Sequence, residues 1–446
     1  MAFGRRVRVL KIGGAAAALL LAGGALFNFS AVSQTASDSR VSRSTHEQRL
    51  FAKGKRVFRF DTFGDRAFWG GALKLHRAIE GRRLGGVGPG LSPKGALAAG
   101  LKVDANALPG AVVKAIKRGK VSLDSPATTL ALLKLNSVVG VKGFFNRRGT
   151  LRSVGITCAL CHSTVNDSFA PGIGKRLDGW PNRDLDVGAV ISLAPTLKPF
   201  TDLLGADEAT VRKVLASWGP GRFDAELALD GKAFRPDGKT GAVLIPAAFG
   251  LDGVNLATYT GFGTVTYWNA FVANLEMHGQ GNFVDQRLNN SDKFPVATRA
   301  GFFNVRHSRD LITPKLGALH YYQLGLKVPK PPKRSFNARA ARRGKMVFNG
   351  KGTCANCHVP PTFSEPGFNM RTPAEICTDS FQADRSPEGL YRTTPLRGLF
   401  ARKKGGFYHD GRFRSLGSVV DHYNGCFGLN LSSRQKRDLV EYLKSL

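Results

Sequence analysis

The chain has 446 residues, 42% of them hydrophobic, with 65 Lys and Arg against 32 Asp and Glu and a formal net charge of +33. That apolar content excludes a disordered polyelectrolyte and is enough for two or three packed domains. The charge favours an anionic partner, above all an acidic redox protein, whereas no nucleic-acid-binding module is recognisable and nucleic acid is not an expected partner.

The chain opens with "MAFGRRVRVLKIGGAAAALLLAGGALFNFSAVS": basic residues, an apolar run from Ile12 to Phe27, then small residues at Ala31 and Ser33. This is the layout of a signal peptide over residues 1–33, which places the mature protein in the periplasm or outside the cell. The competing reading is an uncleaved anchor, and only then is a membrane a partner. No later stretch has 18 uninterrupted apolar residues.

Next comes "RLFAKGKRVFRF" (49–60), read as an opening helix, and about a hundred residues later "TCALCH" (157–162). The segment "TPKLGALHYYQLGL" (313–326) reads as a closing helix begun by Pro314. A basic, proline-rich linker, "KVPKPPKRS" (327–335), follows. Beyond it the plan repeats compactly: "ARRGKMVF" as opening helix, "TCANCH" (353–358), a loop, and "LSSRQKRDLVEYLKSL" as closing helix capped by Ser432 or Ser433. The expected fold is therefore mainly α, with two cytochrome c-like haem domains. Residues 34–326 form the first, enlarged by long loops and insertions, and residues 336–446 form the second.

The spacing C-x-x-C-H explains why four of six cysteines come in pairs. Cys158 with Cys161, and Cys354 with Cys357, can each add to the two vinyl groups of one haem, while His162 or His358 is placed under the iron as fifth ligand. A zinc site would not call for a histidine directly after each pair, and a thioredoxin-type pair would want a βαβ context that is missing. Two c-type haems are the expected cofactors. The remaining pair, Cys377 and Cys426, reads as a disulfide in an oxidising compartment, with two buried free thiols as the alternative.

The sixth ligand decides between carrier and enzyme. For the first haem the residues offer Met277, beside His278 in "EMHGQGNF", or His76 in "LKLHRAIEG". For the second they offer Met370 in "EPGFNM". No distal acid or base can be picked out, and the catalytic residues are not identified.

The run "TTPLRGL", then "FYHDGRF", then "LGSVVDHYN" resembles the C-terminal haem domain of the bacterial di-haem cytochrome c peroxidase and MauG superfamily, which also includes the rubber oxygenases. The resemblance covers roughly residues 340–446. Thr394 stands where that family's first proline would be. The resemblance implies that the sixth-ligand position of the second haem falls on Tyr423, as ligand or as a hydrogen-bonding aromatic. His409 then belongs to a turn or to the propionate side and is not a ligand, Arg397 and Arg412 are expected to pair with haem propionates, and Trp69, Trp180, Trp218 or Trp268 is expected between the haems. The first part matches only in its motif and general order.

The leading expectation is an exported di-haem c-type cytochrome that transfers electrons. The alternative is a peroxide- or oxygen-activating di-haem oxidoreductase of the same superfamily. A third reading is a polyanion-docking protein whose haems are mainly structural.

Overall fold

Glycine decides where the first helix pair meets. The opening helix, Thr45–Phe60, starts from a capping box in which Ser44 and Glu47 exchange side-chain to backbone hydrogen bonds. It crosses the helix Thr313–Leu324 at Gly54, where a Cβ would stand 1.9 Å from the carbonyl oxygen of Ala318. Only a residue without a side chain permits that approach. One turn further on, Phe58 meets Tyr322 at 5.5 Å between ring centroids.

The last part of the chain repeats this clamp. The helices Ala338–Asn349 and Ser433–Ser445 cross at Gly344, where a Cβ would lie 2.0 Å from the oxygen of Asp438. Phe348 then meets Tyr442 at 5.2 Å. Ser432 caps the closing helix through a capping box with Gln435.

The structure, a computed structural model, describes residues 44–446, so the leader expected at 1–33 lies outside the described residues. The described chain is helix-rich, and its strands are short and paired two by two. The hairpin Val141–Phe145 with Leu151–Ile156 is the longest and delivers the chain directly to the first cysteine motif. Among the described residues no helix is long and apolar enough to cross a membrane.

Four apolar clusters form the core. Three lie before the linker, and the fourth, around Val347, Phe348, Val420, Leu439 and Leu443, lies wholly after it. Polar ties nevertheless join the two sides into one unit over Ser44–Leu446. Arg385 is fully buried and reaches across to Asp224 at 3.0 Å and Asp230 at 2.8 Å. Leu244 donates its backbone N–H to the carbonyl of His409 at 2.7 Å, and Arg235 pairs with Asp379 and Asp410.

Candidate haem sites

At the second motif, Cys354–Asn356 forms a single 3₁₀ turn, so Cys354, Cys357 and His358 all line one cavity of about 270 Å³. His358 donates from Nδ1 to the carbonyl oxygen of Phe363 at 2.9 Å, which fixes the ring and leaves Nε2 for a metal. Burial pushes its pKa down to about 4, so the imidazole is neutral and can ligate. Burial also raises the Cys354 thiol to about 11, which marks a structural thiol and not a reactive thiolate. The remaining wall is largely apolar, with Phe348, Val420, Leu439 and Leu443 from the fourth cluster. An apolar slot of this kind, with two thiols and a free imidazole nitrogen, fits a covalently held haem.

Tyr423 lines this cavity from the helix Leu416–Cys426, next to Tyr408 at 6.0 Å between ring centroids. Met370 does not line it: it pairs as a strand residue with Arg392, and its Sδ points at Gly261. Of the two sixth-ligand candidates for the second haem, the fold brings only Tyr423 to the wall. Cys377 and Cys426 are joined by a disulfide that fastens the C-terminal end of the Tyr423 helix.

Two other expectations meet different surroundings. Arg412 is engaged by Asp379 and Asp410 and has no charge to spare for a propionate, whereas Arg397 does line the cavity. His409 is buried in its turn, stacked on Tyr391 at 5.3 Å. It converges with Asp379 and Asp410, but Arg235 and Arg412 already neutralise that group.

The first motif sits in a tighter setting. Cys158 and Cys161 are buried thiols pushed up to about 12. His162 uses Nδ1 to donate to the carbonyl oxygen of Pro246 at 3.1 Å, so its Nε2 is free as at the second motif. Its pKa is likewise lowered by burial to about 4. Backbone bonds from Gly179 to the His162 oxygen and from Asn182 to the Cys161 oxygen, both 2.8 Å, hold the motif from behind. The same chemistry, two thiols and an oriented imidazole, fits a second haem.

Met277 packs in the cluster with Val57, Phe58 and Tyr322 against which Cys158 also rests. His278 stacks on Phe68 at 3.5 Å in a left-handed backbone conformation, φ 57°. His76 lies on a separate short helix near Arg77 and Arg152, with Nδ1 buried and without a hydrogen-bond partner.

Sequence reasoning missed Glu276, the residue just before Met277. It ends a π-helical turn, Val272–Glu276, and with His278, Trp69, Trp218 and Asp224 it lines a small cavity of about 50 Å³. Glu276 Oε1 and Trp218 Nε1 are both buried without a hydrogen-bond partner. Burial, reinforced by the charges of Glu226 and Asp224, raises the Glu276 pKa well above its ordinary value, which favours the protonated carboxyl. Cys161 lies within reach of its charge. The signal was available as a lone carboxylate inside the apolar run "YWNAFVANLEM".

Of the four tryptophans, Trp180 lies next to the first motif in the chain fold and against a residue of the second cavity. It follows Gly179, which bonds the His162 oxygen, and its ring meets Phe249 at 6.3 Å and Phe400 at 5.7 Å, Phe249 itself lining the second cavity. Trp69 and Trp218 belong to the small cavity, and Trp268 to an aromatic cluster with Phe262 and Phe271.

With this geometry in view, the chain resembles the di-haem cytochrome c peroxidase and MauG superfamily, as its C-terminal run implied. The relative that carries the likeness is the methylamine utilization protein MauG of Methylorubrum extorquens, 31% identical over 122 residues, 24% of this chain and 34% of MauG. The chain thus spans about a third of the length of that curated relative. No protein-family model matches. Among solved structures, hydrazine synthase of Kuenenia stuttgartiensis aligns at 24% identity over 30% of this chain and 55% of its own, with a TM-score of 0.22. A variant of the diheme peroxidase BthA from Burkholderia thailandensis aligns at 16% over 51% and 78%, with a TM-score of 0.29. At these scores neither structural likeness carries an argument.

Proposed function

We propose that the protein is an exported di-haem oxidoreductase that activates peroxide or oxygen, with one c-type haem on each side of the linker at 327–335. This places the alternative expectation ahead of simple electron transfer. The observation that carries it is Glu276: a carboxyl without a hydrogen-bond partner that lines a small cavity, acts electrostatically on Cys161 of the first motif and has its protonated form favoured by burial, an arrangement a mere carrier does not need. The similarity to MauG supports the same choice.

When bound, the haems supply one-electron chemistry. The chain's part is to place and protonate the substrate. A cavity of about 50 Å³ admits a molecule of two or three heavy atoms and excludes anything larger. Glu276 holds a proton at its carboxyl and delivers it to the substrate oxygen as that oxygen gains charge. Trp218 Nε1 and His278 are placed to hydrogen-bond the same small molecule. Trp180 lies against Phe249, which lines the second cavity together with His358 and Tyr423, and there Tyr423 would serve as the sixth ligand of a haem held by His358. A tyrosine there favours the ferric state, in the manner of catalase. The basic surface, dense at "ARKKGG" (401–406), suits an acidic redox partner that returns electrons.

The test is an optical and EPR spectrum of the oxidised, haem-loaded protein before and after one equivalent of hydrogen peroxide. One high-spin centre that changes with peroxide is expected. Two low-spin centres indifferent to peroxide would return the protein to the carrier class.

A further inference from the structure

Several buried or half-buried arginines meet a carboxylate: Arg385 meets Asp224 and Asp230, Arg412 meets Asp379 and Asp410, and Arg59 meets Asp178. Three that share one cavity do not. Arg183, Arg392 and Arg402 all line the cavity of the second motif, and among the described residues none has a carboxylate within 4 Å. Their hydrogen bonds go to backbone oxygens and, for Arg183, also to the Tyr259 side chain. Arg183 reaches Lys404 at 3.3 Å, Arg392 reaches Thr258 and Leu256, and Arg402 reaches Pro395 at 2.6 Å and Arg397 at 3.0 Å. Nε of Arg183 and Nε of Arg402 are buried with no partner at all.

Three guanidiniums gathered in this way are costly to bury. Burial and mutual repulsion push Arg392 and Arg402 down to about 10, and Arg402 also acts on His358. A buried charge without a counter-charge is strongly unfavourable, and a guanidinium pairs best with a planar carboxylate. The missing partner is therefore an anion, and the cavity that the three arginines line is the one that holds Cys354, Cys357 and His358.

We propose that Arg183, Arg392 and Arg402 form the seat for the two propionate carboxylates of the second haem and set that haem's reduction potential. The proposal rests on the haem reading above and replaces Arg412 with these three residues. Cations held beside the propionates offset their negative charge and favour the ferrous state, because reduction removes one positive charge from the iron. Arg183 follows Asn182, whose backbone N–H bonds the Cys161 oxygen, so one cation of the seat is anchored to the first motif.

The experiment compares full-length, haem-loaded wild type with Arg392→Gln, Arg402→Gln and Arg402→Lys. Haem content is counted first, by the pyridine haemochrome method, and each haem's midpoint potential is then titrated spectroelectrochemically from pH 6 to 8. A wild type without two covalent haems would sink the haem reading itself, and this proposal with it. With two haems present, the Gln variants should lower the potential of one haem and make it fall with rising pH, as a released propionate begins to titrate. The other haem should not move, and Arg402→Lys should recover most of the loss. Gln variants that lose the second haem while Arg402→Lys keeps it support the seat equally. Gln variants that keep both haems with unchanged potentials overturn it. So does a wild-type potential that shifts on adding succinate, because the seat would then hold an exchangeable anion and not the propionates.

Discussion

Gly54 and Gly344 do the same work in two halves of the molecule, each letting an opening and a closing helix touch backbone to backbone, with a Phe and a Tyr one turn beyond. Each clamp accompanies a C-x-x-C-H motif whose histidine is turned by a backbone carbonyl. What differs is the wall opposite the motif. The second motif faces a roomy, mostly apolar cavity with Tyr423 and an arginine seat. The first has near it a cavity about a fifth as large, also mostly apolar, with Glu276, Asp224 and His278 as its polar residues beside Trp69 and Trp218. Similar frames thus carry different walls, with Tyr423 and three arginines in the second cavity and Glu276 and His278 in the small one.

The largest effect expected from breaking this asymmetry is at Glu276. Glu276→Gln keeps the shape but removes the proton, and the rate of reaction with peroxide should fall about 100-fold, as expected on losing a general acid. The spectrum of the second haem should stay as it is. In the wild type the same reaction should fade as pH rises through the elevated Glu276 pKa, since the acid form is then lost. A pH-independent rate would remove Glu276 from this role.

Next in size are the ties between and within the halves. Arg385→Ala leaves Asp224 and Asp230 buried without their cation and should cost about 3–5 kcal/mol in denaturant unfolding. If the halves then melt separately, this pair is what joins their transitions. Opening the Cys377–Cys426 disulfide, by Cys377→Ser with Cys426→Ser, releases a loop of 49 residues and should cost about 3–4 kcal/mol. That loss should loosen the Tyr423 helix and broaden the second haem's EPR signal while sparing the first.

A pH-dependent effect sharpens the comparison from the other side. Asp65 accepts the Ile156 backbone N–H at 2.8 Å, just before the first motif, and burial raises its pKa to about 8. A carboxyl raised on folding binds its proton more tightly in the native state, so stability falls as pH climbs from about 4 to 8 and levels off above. Asp65→Asn should flatten that decline, whose slope is at most about 1.4 kcal/mol per pH unit. An unchanged pH profile would show that Asp65 is not the titrating group.

Much of the frame was legible in the chain. The motifs stand out because covalent attachment and iron ligation demand fixed residue types at fixed spacing. The clamps show through "GKRVF" and "GKMVF", where the glycine is needed for contact and the phenylalanine for the core. The disulfide could be anticipated because only two cysteines were left over. The walls were harder to read, because their character depends on what folding brings near. Arg412 looked free until Asp379 and Asp410 were placed beside it, and Met370 looked like a ligand until its strand turned the sulfur to Gly261. Glu276 was overshadowed by Met277 and His278, which follow it and have more obvious metal chemistry, and its raised pKa comes from burial, reinforced by Glu226 and Asp224, which only folding brings near.

The glycine crossings also bear on how such a chain can be lengthened. Because each clamp is made by its first and last helices, the stretch enclosed between them is free to vary in size so long as its ends return to the same contact. The first half carries about a hundred residues between its opening helix and its motif, and the second carries almost none. The clamp thus behaves as a clasp around interchangeable cargo, and a protein engineer could exchange the enclosed segment without rebuilding the helix crossing that closes it.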